Sequence, residues 1–184
     1  MSDDGIVTEA GTVRFERLLP GPIERVWAYL TDSDKRGLWL ATGDMALAPG
    51  GRVDLTFRHA DLSPTKEPTP ERYRHMENGA SLAGTVVRCD PPKFLVHTWG
   101  EGADASEVTF ELTPRGDEVL MVLTHRRLSA GAMTGVASGW HTHLAILADQ
   151  LAGRTPRPFW STHAALAADY AVRLAAAPAE RRAG

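Results

Sequence analysis

Apolar residues recur along this chain with two different periods, and the switch between them sets its organisation. Val13, Phe15 and Leu18 mark a first strand, closed by Leu19-Pro20-Gly21-Pro22. Ile23, Val26, Trp27 and Leu30 then follow at helical spacing, with Pro22 suited to a helix start because its missing N–H would go unpaired there anyway. A second short helix is predicted from about Ser33 to Trp39, capped by Asp32 or Ser33, with Leu38 and Trp39 turned to the core.

A period of two takes over next. Asp44 to Leu47 and Arg52 to Phe57 flank the Pro49-Gly50-Gly51 turn, with Val53, Leu55 and Phe57 on one face. From about His59 to Ser81 the pattern dissolves into a polar stretch with Pro64, Pro68 and Pro70, long enough to be a flap or an insertion, and Tyr73 and Met76 are its sizeable apolar anchors. Strands resume at Gly84 to Cys89, Phe94 to Trp99, Ser106 to Leu112 and Val119 to Leu128. The double-proline break Asp90-Pro91-Pro92 launches the second of these, whose Leu95, His97 and Trp99 share a face. Hairpins at this spacing make an antiparallel sheet. Its inner face gathers Val53, Leu55, Phe57, Leu95, His97, Trp99, Val108, Phe110, Leu112, Val119, Met121, Leu123 and His125.

The period then returns to helical. Trp140, Leu144, Leu147 and Leu151 form one apolar stripe on a helix from about Gly131 to Ala152, stopped by Gly153. Pro156 and Pro158 punctuate a linker before an alanine-rich helix from about Phe159 to Ala176. The expected fold class is α+β: six to seven antiparallel strands, two short helices after the first, a long C-terminal helix and one extra helix. Residues 1–11 are expected as a flexible lead, 12–153 as the domain, 154–177 as a helical extension and 178–184 as a disordered tail.

Length fits one domain, since 184 residues bury a core without staples. Twenty Lys and Arg against twenty-three Asp and Glu give a net charge of −3, evenly spread, so no nucleic-acid partner is expected. The single Cys89 rules out an internal disulfide and agrees with a reducing compartment. The start Met1-Ser2-Asp3-Asp4 has no signal-peptide character and no apolar run spans a bilayer, which points to the cytoplasm.

The order of several segments resembles one superfamily. These are Pro22-Ile23-Glu24-Arg25-Val26-Trp27 with Leu30-Thr31-Asp32 and Leu38-Trp39, Gly50-Gly51-Arg52-Val53, and Gly84-Thr85-Val86-Val87 running into Asp90 through Trp99. Val108-Thr109-Phe110-Glu111-Leu112-Thr113-Pro114, Leu123-Thr124-His125 and Gly139-Trp140 continue the series. Over roughly residues 12 to 152 the set is similar to the START-like (SRPBCC) helix-grip superfamily, in its branch like the C-terminal domain of the activator of Hsp90 ATPase. The resemblance implies a curved antiparallel sheet gripping a long helix, with a hydrophobic cavity between them in many relatives. Such proteins bind lipids, polyketides or hormones, some catalyse cyclisation or hydrolysis, and the namesake stimulates a chaperone ATPase. The residues given hold no counterpart of the namesake's separate N-terminal chaperone-binding domain, which weighs against a co-chaperone role.

The expected ligand is a small apolar or aromatic molecule. Its expected walls are Trp39, Phe57, His97, Trp99, Phe110, Met121, His125, Trp140 and Leu144, with Tyr73 and Met76 on the flap. An enzyme using His97 or His125 as general base is the first alternative, and a chaperone regulator or interaction module the second. His141 and His143 at i and i+2 point about 200° apart on a helix, so no shared metal ion is expected, and no cofactor. Ser138 and Ser161 lack the frame of a nucleophile, and parity turns Glu107 and Glu111 outward. Phe159, Trp160 and Tyr170 on the extension are expected to pack back on the domain or to form a homodimer interface.

Overall fold

The computed structural model describes residues 6–176. The strands are β1 (Ile6–Glu9), β2 (Thr12–Pro20), β3 (Arg52–Phe57), β4 (Ala80–Asp90), β5 (Phe94–Trp99), β6 (Ser106–Arg115) and β7 (Glu118–Arg126). The helices are α1 (Ile23–Thr31), α2 (Ser33–Gly37), α3 (Met133–Leu151) and α4 (Phe159–Ala176). One antiparallel sheet holds all seven strands in the order β1-β2-β7-β6-β5-β4-β3. This is a helix-grip fold, with α3 laid against the inner face of the sheet.

Alternation decided that inner face. Leu95 pairs with Phe110 and Phe110 with Leu123, so one row of large side chains crosses three strands. Val53, Leu55, Leu95, Val108, Phe110, Leu112, Val119, Met121, Leu123 and His125 are all buried, while Arg58 and Glu111 point out. Trp140, Leu144, Leu147 and Leu151 of α3 close on this face, each almost fully buried. Gly84 of β4 has no alternative: a Cβ there would collide with the carbonyl oxygen of Thr98 on the neighbouring strand.

The segment joining α1 to β3 hangs on one buried cation. Arg36, 1% exposed, donates through its guanidinium to the carbonyl oxygens of Ala41 (3.2 Å), Thr31 (3.0 Å) and Gly43, and at longer range to Leu30. Burial lowers its pKa, which Asp32 and Asp44 oppose at a distance. The Asp32 side chain accepts the Lys35 N–H at 3.0 Å and so caps α2, as the sequence led one to expect.

Three expectations need correction. Residues 6–9, read as part of a flexible lead, form β1 against β2. Asp44 to Leu47 is no strand: beside β3 the chain makes only the isolated bridges Thr42–Thr56 and Met45–Val53, because Gly43, at φ 124°, takes it out of extended geometry. Leu38 is 44% exposed whereas Trp39 is sealed in the core, since α2 ends at Gly37 and the chain turns between the two. Of the two placements expected for the extension, packing on its own domain is the one observed, with Phe159, Trp160 and Tyr170 buried within the chain against α3 and the flap. The tail 178–184 lies outside the described residues.

Candidate functional site

A cavity of about 310 Å³ opens between the sheet and α3. Its walls are Phe57 from β3, Trp99 from β5, His125 from β7, Ala80, Ser81 and Leu82 from β4, and Gly135, Val136, Gly139, Trp140 and His143 from α3. Leu40, His59 and Met76 complete it. Phe57, Trp99 and Trp140 form a continuous aromatic wall, with ring centroids 5.7 Å apart for the first pair and 5.1 Å for the second.

The helix contributes as much by omission. Gly135, Gly139 and His143 fall at i, i+4 and i+8 and therefore share one face of α3. A Cβ built at either glycine would meet nothing within 4 Å. Two missing side chains thus leave the helix backbone itself as cavity wall. The polar stretch 59–79 forms a strap over this region, with short 3-10 turns at His59–Asp61 and Glu71–Met76. Bonds to the far end of the chain hold the strap. Ser63 Oγ donates to the Pro156 carbonyl (2.8 Å), the Ser161 N–H donates to Glu67 Oε2 (3.0 Å), and Tyr73 stacks on Trp160 at 5.2 Å. Met76 faces the cavity, while Tyr73 packs on α4.

Four of the five buried histidines lie in or beside this site, and their contacts sort them into distinct roles. Trp140 Nε1–H donates to His125 Nδ1 (2.9 Å), so the ring proton sits on Nε2 and goes to Ser106 Oγ at 2.8 Å. Both nitrogens of His125 are therefore engaged, and burial beside His97 lowers its pKa to about 3. His97 donates from Nδ1 to the Thr98 carbonyl (2.9 Å), and burial takes it down to about 4. His143 donates from Nδ1 to the Trp39 carbonyl at 2.7 Å, and burial close to His59 lowers it to about 3. His59 is wedged among Phe159 (4.2 Å), Trp160 (5.0 Å) and His143 (5.5 Å), with burial lowering it to about 4. All four rings are neutral at pH 7.

Ser138 is held by the helix it sits on and by α4. The Ser138 hydroxyl donates back to the Thr134 carbonyl at 2.8 Å, which leaves its oxygen to accept from His163 Nε2 at 3.1 Å. Among the described residues no group of three or more His, Cys, Asp or Glu is placed to hold a metal ion. No described helix is long and apolar enough to cross a membrane.

Residues 20–152 match the model of the family described as activator of Hsp90 ATPase homolog 1-like protein. The chain belongs to that family. Among solved structures, a Bordetella parapertussis protein encoded by gene BPP1335 is 48% identical, at TM-score 0.79, over 94% of this chain and 91% of its own. CalU16 from Micromonospora echinospora shares the fold at 20% identity and TM-score 0.62, covering 90% of this chain and 88% of its own. EF2215 from Enterococcus faecalis, a conserved protein of unknown function, does so at 19% identity and TM-score 0.62, over 91% and 87%. No curated protein matches.

Within this member of the activator-like family, the predicted wall residues divide. Phe57, Trp99, His125, Trp140 and Met76 do line the cavity. Trp39, His97, Phe110, Met121 and Leu144 stand in the core and not on the cavity wall. Parity assigns a side chain to a face and says nothing of its depth along the strand, so it could not separate His97, Phe110 and Met121 from the wall positions. His59, His143, Gly135 and Gly139 were missed as site residues. The i, i+4, i+8 spacing of the last three was present in the sequence, whereas His59 carried no local signal at all.

Proposed function

We propose that this protein binds a small apolar or aromatic molecule in the cavity between the sheet and α3. One observation carries the reading: an open volume of about 310 Å³ with an aromatic wall of Phe57, Trp99 and Trp140, at the lower end of the size range of small-molecule sites. A fully packed core would leave no such void. An enzymatic reading through His125 or His97 finds less support, because the first has both nitrogens bonded and the second lies off the cavity wall. The family description names an activator of a chaperone ATPase, and that role rests on the description alone.

Native mass spectrometry of the freshly purified protein, followed by thermal-shift screening against apolar and aromatic compounds, tests the proposal. A copurified small molecule, or a compound that raises the melting temperature in a concentration-dependent way, is expected. Neither appearing across a broad aromatic panel would refute it.

A further inference from the structure

We infer that the ligand lies along the glycine face of α3 and is an uncharged ring compound carrying a hydroxyl, whose proton is accepted by Nε2 of His143. This rests on the binding proposal above and narrows its ligand class.

Three observations converge on one face of one helix. Gly135 and Gly139 clear a path along α3, since no atom stands where their side chains would be. Glycine inside a helix costs about 1 kcal/mol relative to alanine, and here two occur one turn apart facing a cavity. Next on the same face is His143, which also lines the cavity and is only 6% exposed. Its Nδ1–H is committed to the Trp39 carbonyl at 2.7 Å, which fixes the tautomer and leaves Nε2 as a bare lone pair. Nε2 has no hydrogen-bond partner among the described residues. His59 Nδ1 is sealed from solvent without a partner; the His143 ring lines the cavity, and the proposed contact places its Nε2 on the cavity side, opposite the Nδ1–H held by Trp39.

The environment selects what this lone pair will accept. Burial and the neighbouring His59 keep the ring unprotonated at neutral pH, so it offers an acceptor and no positive charge. A carboxylate brings only acceptors and would face the lone pair directly. A hydroxyl brings one proton to donate. The remaining wall around the path is apolar or aromatic: Val136, Trp140, Trp99 and Phe57. About two fused rings match the volume available.

Isothermal titration of the full chain with naphthalene, naphthol, the methyl ether of naphthol and naphthoate tests the assignment. Naphthol is expected to bind about tenfold tighter than its ether, the yield of one buried hydrogen bond, with naphthoate no better than the ether. In H143N the side-chain amide keeps the bond to the Trp39 carbonyl while the cavity nitrogen is gone. The naphthol-to-ether ratio should there fall to within about twofold with naphthalene binding retained, and H143F should behave alike. Nitrogen NMR of the native chain gives a second readout that needs no variant. The Nε2 resonance of His143 should move on adding naphthol and stay in place with the ether.

If naphthalene, naphthol and ether bind equally well, the cavity proposal stands and this inference is overturned. Preference for naphthoate, or discrimination that survives in H143N, also overturns it. If none of the probes binds, the cavity proposal fails first and the inference with it.

Discussion

Mild acid should unfold this protein through its histidines, in a pH window set apart from ordinary acid denaturation. His97 and His59 have folded-state values of about 4, and His125 and His143 of about 3, all displaced chiefly by burial from a free value of 6.5. The unfolded chain therefore takes up protons first. The stability these four groups contribute is complete above pH 6.5 and is lost as pH falls through that value toward the folded-state ones. For a single imidazole moved from pH 7 to pH 5, the unfolded form gains about 2 kcal/mol of protonation free energy that the folded form does not. Four such groups remove about 7 to 8 kcal/mol, which is at least half of the total stability of a typical domain. His163 adds to the effect, since burial and the nearby Arg72 lower it too.

Urea unfolding at a series of pH values, followed by tryptophan fluorescence, measures this directly. Stability should be level from pH 8 to about 7 and then fall with a limiting slope of about 5 kcal/mol per pH unit, four protons' worth. Carboxylates cannot mimic it. Asp149 illustrates why: burial opposes its ionisation, yet the hydrogen bonds from Arg157 and Arg154 hold it below the usual carboxylate range, so its contribution is lost only in stronger acid. In H59F the ring contact with Phe159 is preserved in kind and one titrating group is removed, so the loss between pH 7 and 5 should shrink by about 2 kcal/mol. A stability that changes by less than about 1 kcal/mol across that interval would refute the reasoning, because it would mean that the four rings are not buried neutral.

Three further outcomes are expected. G139A should raise stability by about 1 kcal/mol and the melting temperature by about 2 to 4 °C in calorimetry, because the new methyl meets no atom within 4 Å; a decrease would contradict the open space beside α3. R36M should cost about 3 kcal/mol or more in urea unfolding, since it strands the carbonyls of Thr31, Ala41 and Gly43 in the core, and a loss below about 1 kcal/mol would show that water reaches them. H125F should cost about 2 kcal/mol by leaving Trp140 Nε1–H without its acceptor, with an accompanying shift of tryptophan emission, and an unchanged stability would argue that the indole is not buried.

The strands were readable because their period is two and a register slip would expose a whole row of large side chains. Val53-Leu55-Phe57 and Val119-Met121-Leu123-His125 admit one inward face only, and that is the face observed. The strap 59–79 was readable only as a flap or an insertion anchored by Tyr73 and Met76, and the reason its course was not is physical. It is held by Ser63 to Pro156 and Glu67 to Ser161, partners more than ninety residues away, and by the His59 ring packed against Phe159. None of these leaves a local period. Equally, His97 stood out as an inward imidazole, but one backbone carbonyl next to it in the chain satisfies its Nδ1–H, and nothing in alternation separates that position from the cavity wall.

The cavity itself follows from a change in side-chain size along α3. Leu144, Leu147 and Leu151 fill the groove of the sheet at one end of the helix, each at most 2% exposed. One and two turns before Leu144, the helix presents Gly139 and Gly135, and the groove stays empty. Trp140 marks the boundary: its ring packs on Phe110 toward the filled half and on Trp99 toward the empty one, and its indole N–H is tied to His125 so that it cannot swing in to close the gap. Without that bond, the largest nearby side chain would be free to collapse into the space the glycines leave. The chain of Trp140, His125, Ser106 and the Trp99 carbonyl thus braces the indole at the boundary of the cavity.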